Sequence, residues 1–190
     1  MNFSIDINKE DFFPVIHIRN EEKKTSAEVY AFGALLNAFT IQNSLNIIDG
    51  FSSSQDAINN ITNGFKSAKL SPFVCRTSNG KYVFSDHEYT IDKFYMGEEA
   101  IHGLLYDAIF SIADSGANDN SAFVTLQYEY QKEDKGFQFN YTCTITYSLE
   151  KNNSLSIRTS VKNNSETEMP VCDGWHPYFT LGAKVNELSF

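Results

Sequence analysis

Three side chains in this sequence are placed to do chemistry: Arg76, next to an Asn79-Gly80 turn signal; His102, followed directly by Gly103; and His176. His176 lies in the run Asp173-Gly174-Trp175-His176-Pro177-Tyr178-Phe179-Thr180-Leu181, which holds the single Trp and one of the four His of the chain. Pro177 biases the backbone of the residue before it toward the extended region, so the imidazole stands on a stiff, largely apolar support. A free imidazole titrates near ~6.5, which suits proton donation close to neutral pH. Taken singly, Arg76 reads first as an ordinary surface cation, and His102 and His176 read first as packed or exposed side chains rather than site residues. Asp107 and Asp173, the carboxylates nearest in sequence to the two His, read as solvated loop acids. Cys75 and Cys143 read as small buried side chains, because neither has an activating neighbour in sequence.

The elements that must position these groups are strands. Val124, Leu126, Tyr128 and Tyr130 alternate with polar residues, and after the turn Lys132–Gly136 the alternation resumes from Phe137 to Leu149. Period two is the mark of a strand with one buried face. Asn152-Asn153 then turns the chain into Leu155, Ile157, Thr159 and Val161, which completes an antiparallel meander. Ahead of it, residues 1–26 read as a strand or arm ending in a charged turn. Residues 27–39 read as a hairpin or two strands around Gly33, and residues 43–65 as a loop with a short helix near Gln55–Ile61. Asn79-Gly80 predicts a tight hairpin, Lys81–Phe84 a strand, and residues 100–107 a structured loop. The last residues, Val185 to Phe190, read as the start of a further strand. No strand alternates with a helix-length pattern of about 10–15 residues, so an α/β fold is disfavoured and an all-β, antiparallel β-sandwich is expected.

Composition removes several functions. The chain has 190 residues, of which 42% are hydrophobic, and no apolar run approaches the ~18 residues of a spanning helix, so a water-soluble domain with no membrane partner is expected. A net charge of -9 without a basic stripe disfavours nucleic acid. Three cysteines with no close pair argue against a disulfide framework and a zinc site. Residues 1–6 lack the basic and apolar segments of a secretory signal, which makes the cytoplasm the expected compartment. Phosphate loops, nucleophile elbows and metal-spaced His pairs are missing, which removes several common enzyme classes.

Three blocks, in order, resemble the aldose 1-epimerase, or galactose mutarotase-like, family. Ser71-Pro72-Phe73-Val74-Cys75-Arg76 with Gly80-Lys81-Tyr82-Val83-Phe84 is similar to its Pro-Phe-x-Asn-Arg block and the Gly-Lys segment after it. Ile101-His102-Gly103 is similar to its His-Gly block, and Gly174-Trp175-His176-Pro177-Tyr178-Phe179 to its Gly-x-His-Pro-Tyr-Phe block. The resemblance implies a single domain over residues 1–190 of the family's supersandwich fold, lacking its C-terminal part. It implies a cofactor-free isomerase that interconverts the α and β anomers of a free hexose. His176 would be the general acid, His102 would contact the sugar near its ring oxygen, and Arg76 and Tyr178 would bind the sugar. Two departures accompany it: Cys75 stands where the family usually has Asn, and the family's general base is a Glu expected beyond residue 190, so the chain alone is expected to be weak or inactive. The alternatives are a non-catalytic carbohydrate-binding or sensing domain of the same fold and a hexose 6-phosphate 1-epimerase; only Arg19, Arg76 and Arg158 offer guanidinium groups to a phosphate.

Overall fold

Where apolar and polar residues alternate, the chain has one face to bury, and sheet formation follows. A computed structural model describes residues 2–187 of the protein. Strands β1 (Phe3–Asn8), β2 (Val15–Asn20), β3 (Thr25–Tyr30), β4 (Leu36–Ile41) and β5 (Leu45–Asn46) form an antiparallel sheet in chain order. Residues 1–26 thus contain two strands and the entry to a third, rather than one arm. After the helix α1 (Ser54–Asn60) come the short strands β6 (Ala68–Leu70), β7 (Arg76–Thr77), β8 (Lys81–Phe84), β9 (His87–Thr90), β10 (Tyr95–Met96) and β11 (Glu99–Ile101). Strands β12 (Ser111–Ala117), β13 (Ser121–Gln131), β14 (Asn140–Glu150) and β15 (Leu155–Asn163) make the expected meander, and β16 (Gly174–His176) follows it.

The two large sheets bury their apolar faces against each other. Ile16, Ile18 and Val29 from the first meet Val124, Leu126, Ile145 and Tyr147 from the second in one cluster. Each such aliphatic side chain contributes roughly 1.5–3 kcal/mol on burial. The Tyr147 hydroxyl crosses the interface and donates to the Ala34 carbonyl at 2.7 Å. A second cluster, with Phe13, Phe32, Phe65, Leu70, Ile101 and Tyr106, lies under α1 and the short strands. Helix α1 starts where Ser53 caps it, its hydroxyl accepting from the Asp56 amide at 3.1 Å.

Some local expectations give way to longer-range pairing. Asn79-Gly80 lies in a 3-10 turn (Ser78–Gly80), not a hairpin, because β7 pairs with β11 while β8 pairs with β9. The hairpin of this region turns at Ser85-Asp86, both with positive φ (50° and 63°), the geometry of a type I′ turn. Strand β12 carried no apolar alternation to announce it; it adds to the meander with a register shift between Ile112 and Asp114. Val185–Glu187 forms a 3-10 turn instead of a strand, and residues 188–190 lie outside the described residues.

On the outer side of the meander, β15 pairs with β14 alone among the described strands. Beside it runs an apolar groove of about 320 Å³, lined by Leu36, Phe39, Ile48, Ile157, Trp175 and Phe179 among others. Among the described residues, no helix is long and apolar enough to cross a membrane.

Candidate active site

His176 and His102 meet ring against ring from two independent supports. His176 ends β16, which pairs antiparallel with β6 so that Gly174 faces Leu70, Trp175 faces Lys69 and His176 faces Ala68. The Ser67 amide adds a bond to the His176 carbonyl at 2.9 Å. His102 directly follows β11, which pairs with β7 so that Ile101 stands opposite Arg76. Its amide donates to the Cys75 carbonyl at 2.9 Å, and the Leu104 amide donates to the Ser71 carbonyl at 2.7 Å. Between these bonds the backbone is left-handed at both His102 (φ 63°) and Gly103 (φ 80°). A Cβ on residue 103 would lie 2.5 Å from the Ser71 carbonyl oxygen, so only glycine fits. The His-Gly pair therefore serves close backbone approach.

The two imidazoles meet edge to face, with ring centroids 4.9 Å apart and planes at 73°. Phe65 packs against His102 on one side at 4.6 Å, and Tyr178 stacks on His176 on the other at 5.4 Å and 24°. The Nδ1 atoms of both imidazoles are buried without a hydrogen-bond partner. An unsatisfied buried polar atom costs about 1–3 kcal/mol, a cost the ring packing around the two imidazoles has to offset. Burial first, then the neighbouring His176 and Arg76, lower the pKa of His102 below the usual histidine value. A second positive charge in so small a space is disfavoured, so His102 is held neutral.

Arg76 is half-exposed, and its Nη1 donates to Glu99 Oε2 at 2.9 Å with the Met96 sulfur alongside. Glu99 escaped the sequence reading. The signal for it was strand alternation, since Glu99 lies two residues before Ile101 and so shares the face on which Arg76 stands. Trp175, one residue before His176, points the other way: its ring is 6.3 Å from that of Tyr147 and 4.6 Å from the Lys69 ammonium. Of the two aromatic neighbours, Tyr178 thus lies with the imidazoles and Trp175 behind them.

Other expectations are refined or corrected. Asp173 and Asp107 are partly exposed loop acids as expected, yet both are ion-paired: Asp173 accepts from the buried Lys69 ammonium at 2.5 Å, and Asp107 pairs with Lys93. Cys75 is exposed, because its left-handed backbone (φ 56°) turns it out of the pairing between β7 and β11. Cys143 is buried on the inner face of β14, and desolvation pushes its thiol up to about 12. Among the described residues no group of three or more His, Cys, Asp and Glu side chains is arranged to hold a metal ion.

An antiparallel β-sandwich carrying two facing imidazoles at the ends of short accessory strands defines the class of protein. The model of the family described as aldose 1-epimerase matches residues 14–189, and the chain belongs to that family. Its fold is similar to that of a galactose 1-epimerase from Lactobacillus acidophilus, with a TM-score of 0.77 and 17% identity over 95% of this chain and 53% of that one. It is also similar to a galactose mutarotase-like protein from Clostridium acetobutylicum, with a TM-score of 0.80 and 20% identity over 94% of this chain and 54% of that one. An aldose epimerase homologue from C. elegans aligns with a TM-score of 0.73 and 18% identity, over 86% of this chain and 50% of that one. The chain therefore spans about half the length of these solved structures. No curated protein matches the sequence.

Proposed function

We propose that the ring cluster of Phe65, His102, His176 and Tyr178 marks where a free aldose binds, and that the chain supplies the acid half of a ring-opening site. The observation that carries this reading is the pair of facing imidazoles, ring centroids 4.9 Å apart, set between Phe65 and Tyr178. Anomer exchange requires removal of the proton from the anomeric hydroxyl and delivery of one to the ring oxygen. The bond between C1 and the ring oxygen then breaks to leave an aldehyde and a hydroxyl. Rotation about the C1–C2 bond and closure on the other face, with the proton transfers reversed, gives the second anomer. His176 donates to the ring oxygen. His102, held neutral, accepts or donates a hydrogen bond at the same end of the sugar, while Arg76 binds hydroxyls at the rim and Tyr178 backs the His176 ring. No metal or cofactor enters these steps.

Among the described residues no carboxylate hydrogen-bonds either imidazole, so the proton acceptor is assigned to a group outside this ring cluster. The same observation favours a second reading, a sugar-binding domain of this fold without turnover.

Titration with galactose and with glucose, followed through the imidazole resonances, should move the signals of His102 and His176; signals that stay fixed at saturating sugar overturn the site. Polarimetry on freshly dissolved α-galactose and α-glucose tests the acid. The chain should accelerate mutarotation weakly and His176→Asn not at all, while equal acceleration by both would remove His176 from that role. Sugar-induced shifts with no acceleration by the wild-type chain would favour the binding domain.

A further inference from the structure

The mechanism leaves one buried cation without a task. Lys69 is fully buried, on β6 directly opposite Trp175, yet its ammonium lies in the core beneath the strand that carries His176. It donates to Asp173 Oδ2 at 2.5 Å and to the Gly174 carbonyl at 3.2 Å, and it lies 4.6 Å from the centre of the Trp175 ring. These three partners are the three residues that precede His176.

Burying an ammonium is costly, and its attraction to one carboxylate repays this only when the remaining donors are also satisfied. A methionine of similar length would fill the space with no such requirement. What the cation adds is direction, because its contacts grip Asp173, just ahead of β16, and Gly174 and Trp175 on it, and slippage of β16 along β6 would break them together. We propose that Lys69 is a positioning residue: it fixes the height and register of β16, and through them the spacing of the His176 and His102 imidazoles. The kinetic and binding consequences rest on the reading of this ring cluster as the sugar site; the positional statement stands without it.

The test uses the 190-residue chain and compares wild type with Lys69→Met, Asp173→Asn and the double variant Lys69→Met/Asp173→Asn. Lys81→Met/Glu88→Gln removes an exposed ion pair of the β8–β9 hairpin as a control. Amide spectra report whether each variant is folded, and imidazole spectra report where the two rings are. Variants of Lys69 and Asp173 that keep the folded amide pattern should move both imidazole signals, and sugar affinity should fall about tenfold or more, in line with what small misplacements cost. The control should leave the imidazole signals in place. Asp173→Asn retains an acceptor at a partly exposed position, so it keeps the test open where loss of Lys69 prevents folding. Folded variants with unmoved imidazole signals overturn the positioning role and reduce Lys69 to a stability element. If the imidazoles move in the variants but sugar never moves them in wild type, the sugar site fails and the role of Lys69 survives.

Discussion

At the scale of single residues, the environment of His102 makes its charge a property of the fold. Its folded pKa lies below the unfolded value, so near pH 6 the folded chain binds fewer protons than the unfolded one. The stability associated with this group is therefore complete above about 6.5 and falls as the pH drops toward the folded value. Thermal unfolding from pH 7.5 to 5 should show a steeper acid loss for wild type than for His102→Phe; parallel curves would contradict it. The thiols give a second test. Cys75 and Cys172 are exposed, while Cys143 is buried with its thiol pushed up to about 12. Alkylation at pH 8 followed by intact-mass measurement should label the first two in the native protein and Cys143 only after denaturation. His102, His176 and Arg76 were legible in the sequence because each stands in a contiguous block. Glu99 and Lys69 were not, because their partners Arg76 and Asp173 lie 23 and 104 residues away.

Elements were legible in proportion to their alternation. Strands β13 and β14 bury every second residue over most of their length, and the sequence showed that rhythm. Strand β12, with Ser, Asp, Ser and Gly between its apolar residues, is a strand only because β13 offers it an edge. The same reasoning explains Asn79-Gly80, where a strong local turn signal is used for a 3-10 turn because the flanking strands have better partners elsewhere. Asn37 on β4 shows what holds such irregular connections. Its Nδ2 donates to Glu28, to the Tyr30 hydroxyl and to the Phe51 carbonyl, and its Oδ1 accepts from the Phe51 amide at 2.7 Å. Asn37→Ala strands both backbone groups of Phe51 and should cost about 2–3 kcal/mol in urea unfolding. A loss below about 0.5 kcal/mol would show that water replaces the side chain.

For the whole molecule, the exposed β15 edge and the apolar groove beside it predict association. Ile157 is 42% and Phe179 71% exposed, on a surface that a monomer in water does not favour. The net charge of -9 opposes self-contact, and salt screens that repulsion. Sedimentation should show larger species as salt is raised, and Ile157→Lys should suppress them; salt-independent sedimentation would contradict this. Fold class and meander were legible in the sequence because they repeat a local period. The meeting of the two imidazoles was legible only as separate blocks, because they come from chain segments that meet through β6–β16 and β7–β11.

The placement of Trp175 has one more result. It is the only indole in the chain, clamped between Lys69 and Tyr147 and bonded in sequence to His176. Fluorescence therefore watches one event, the docking of the last strand onto a segment about a hundred residues upstream. Contacts of such separation form slowly. In stopped-flow refolding the emission change should lag the far-ultraviolet dichroism of the sheets, so the protein becomes β-rich before His176 meets His102.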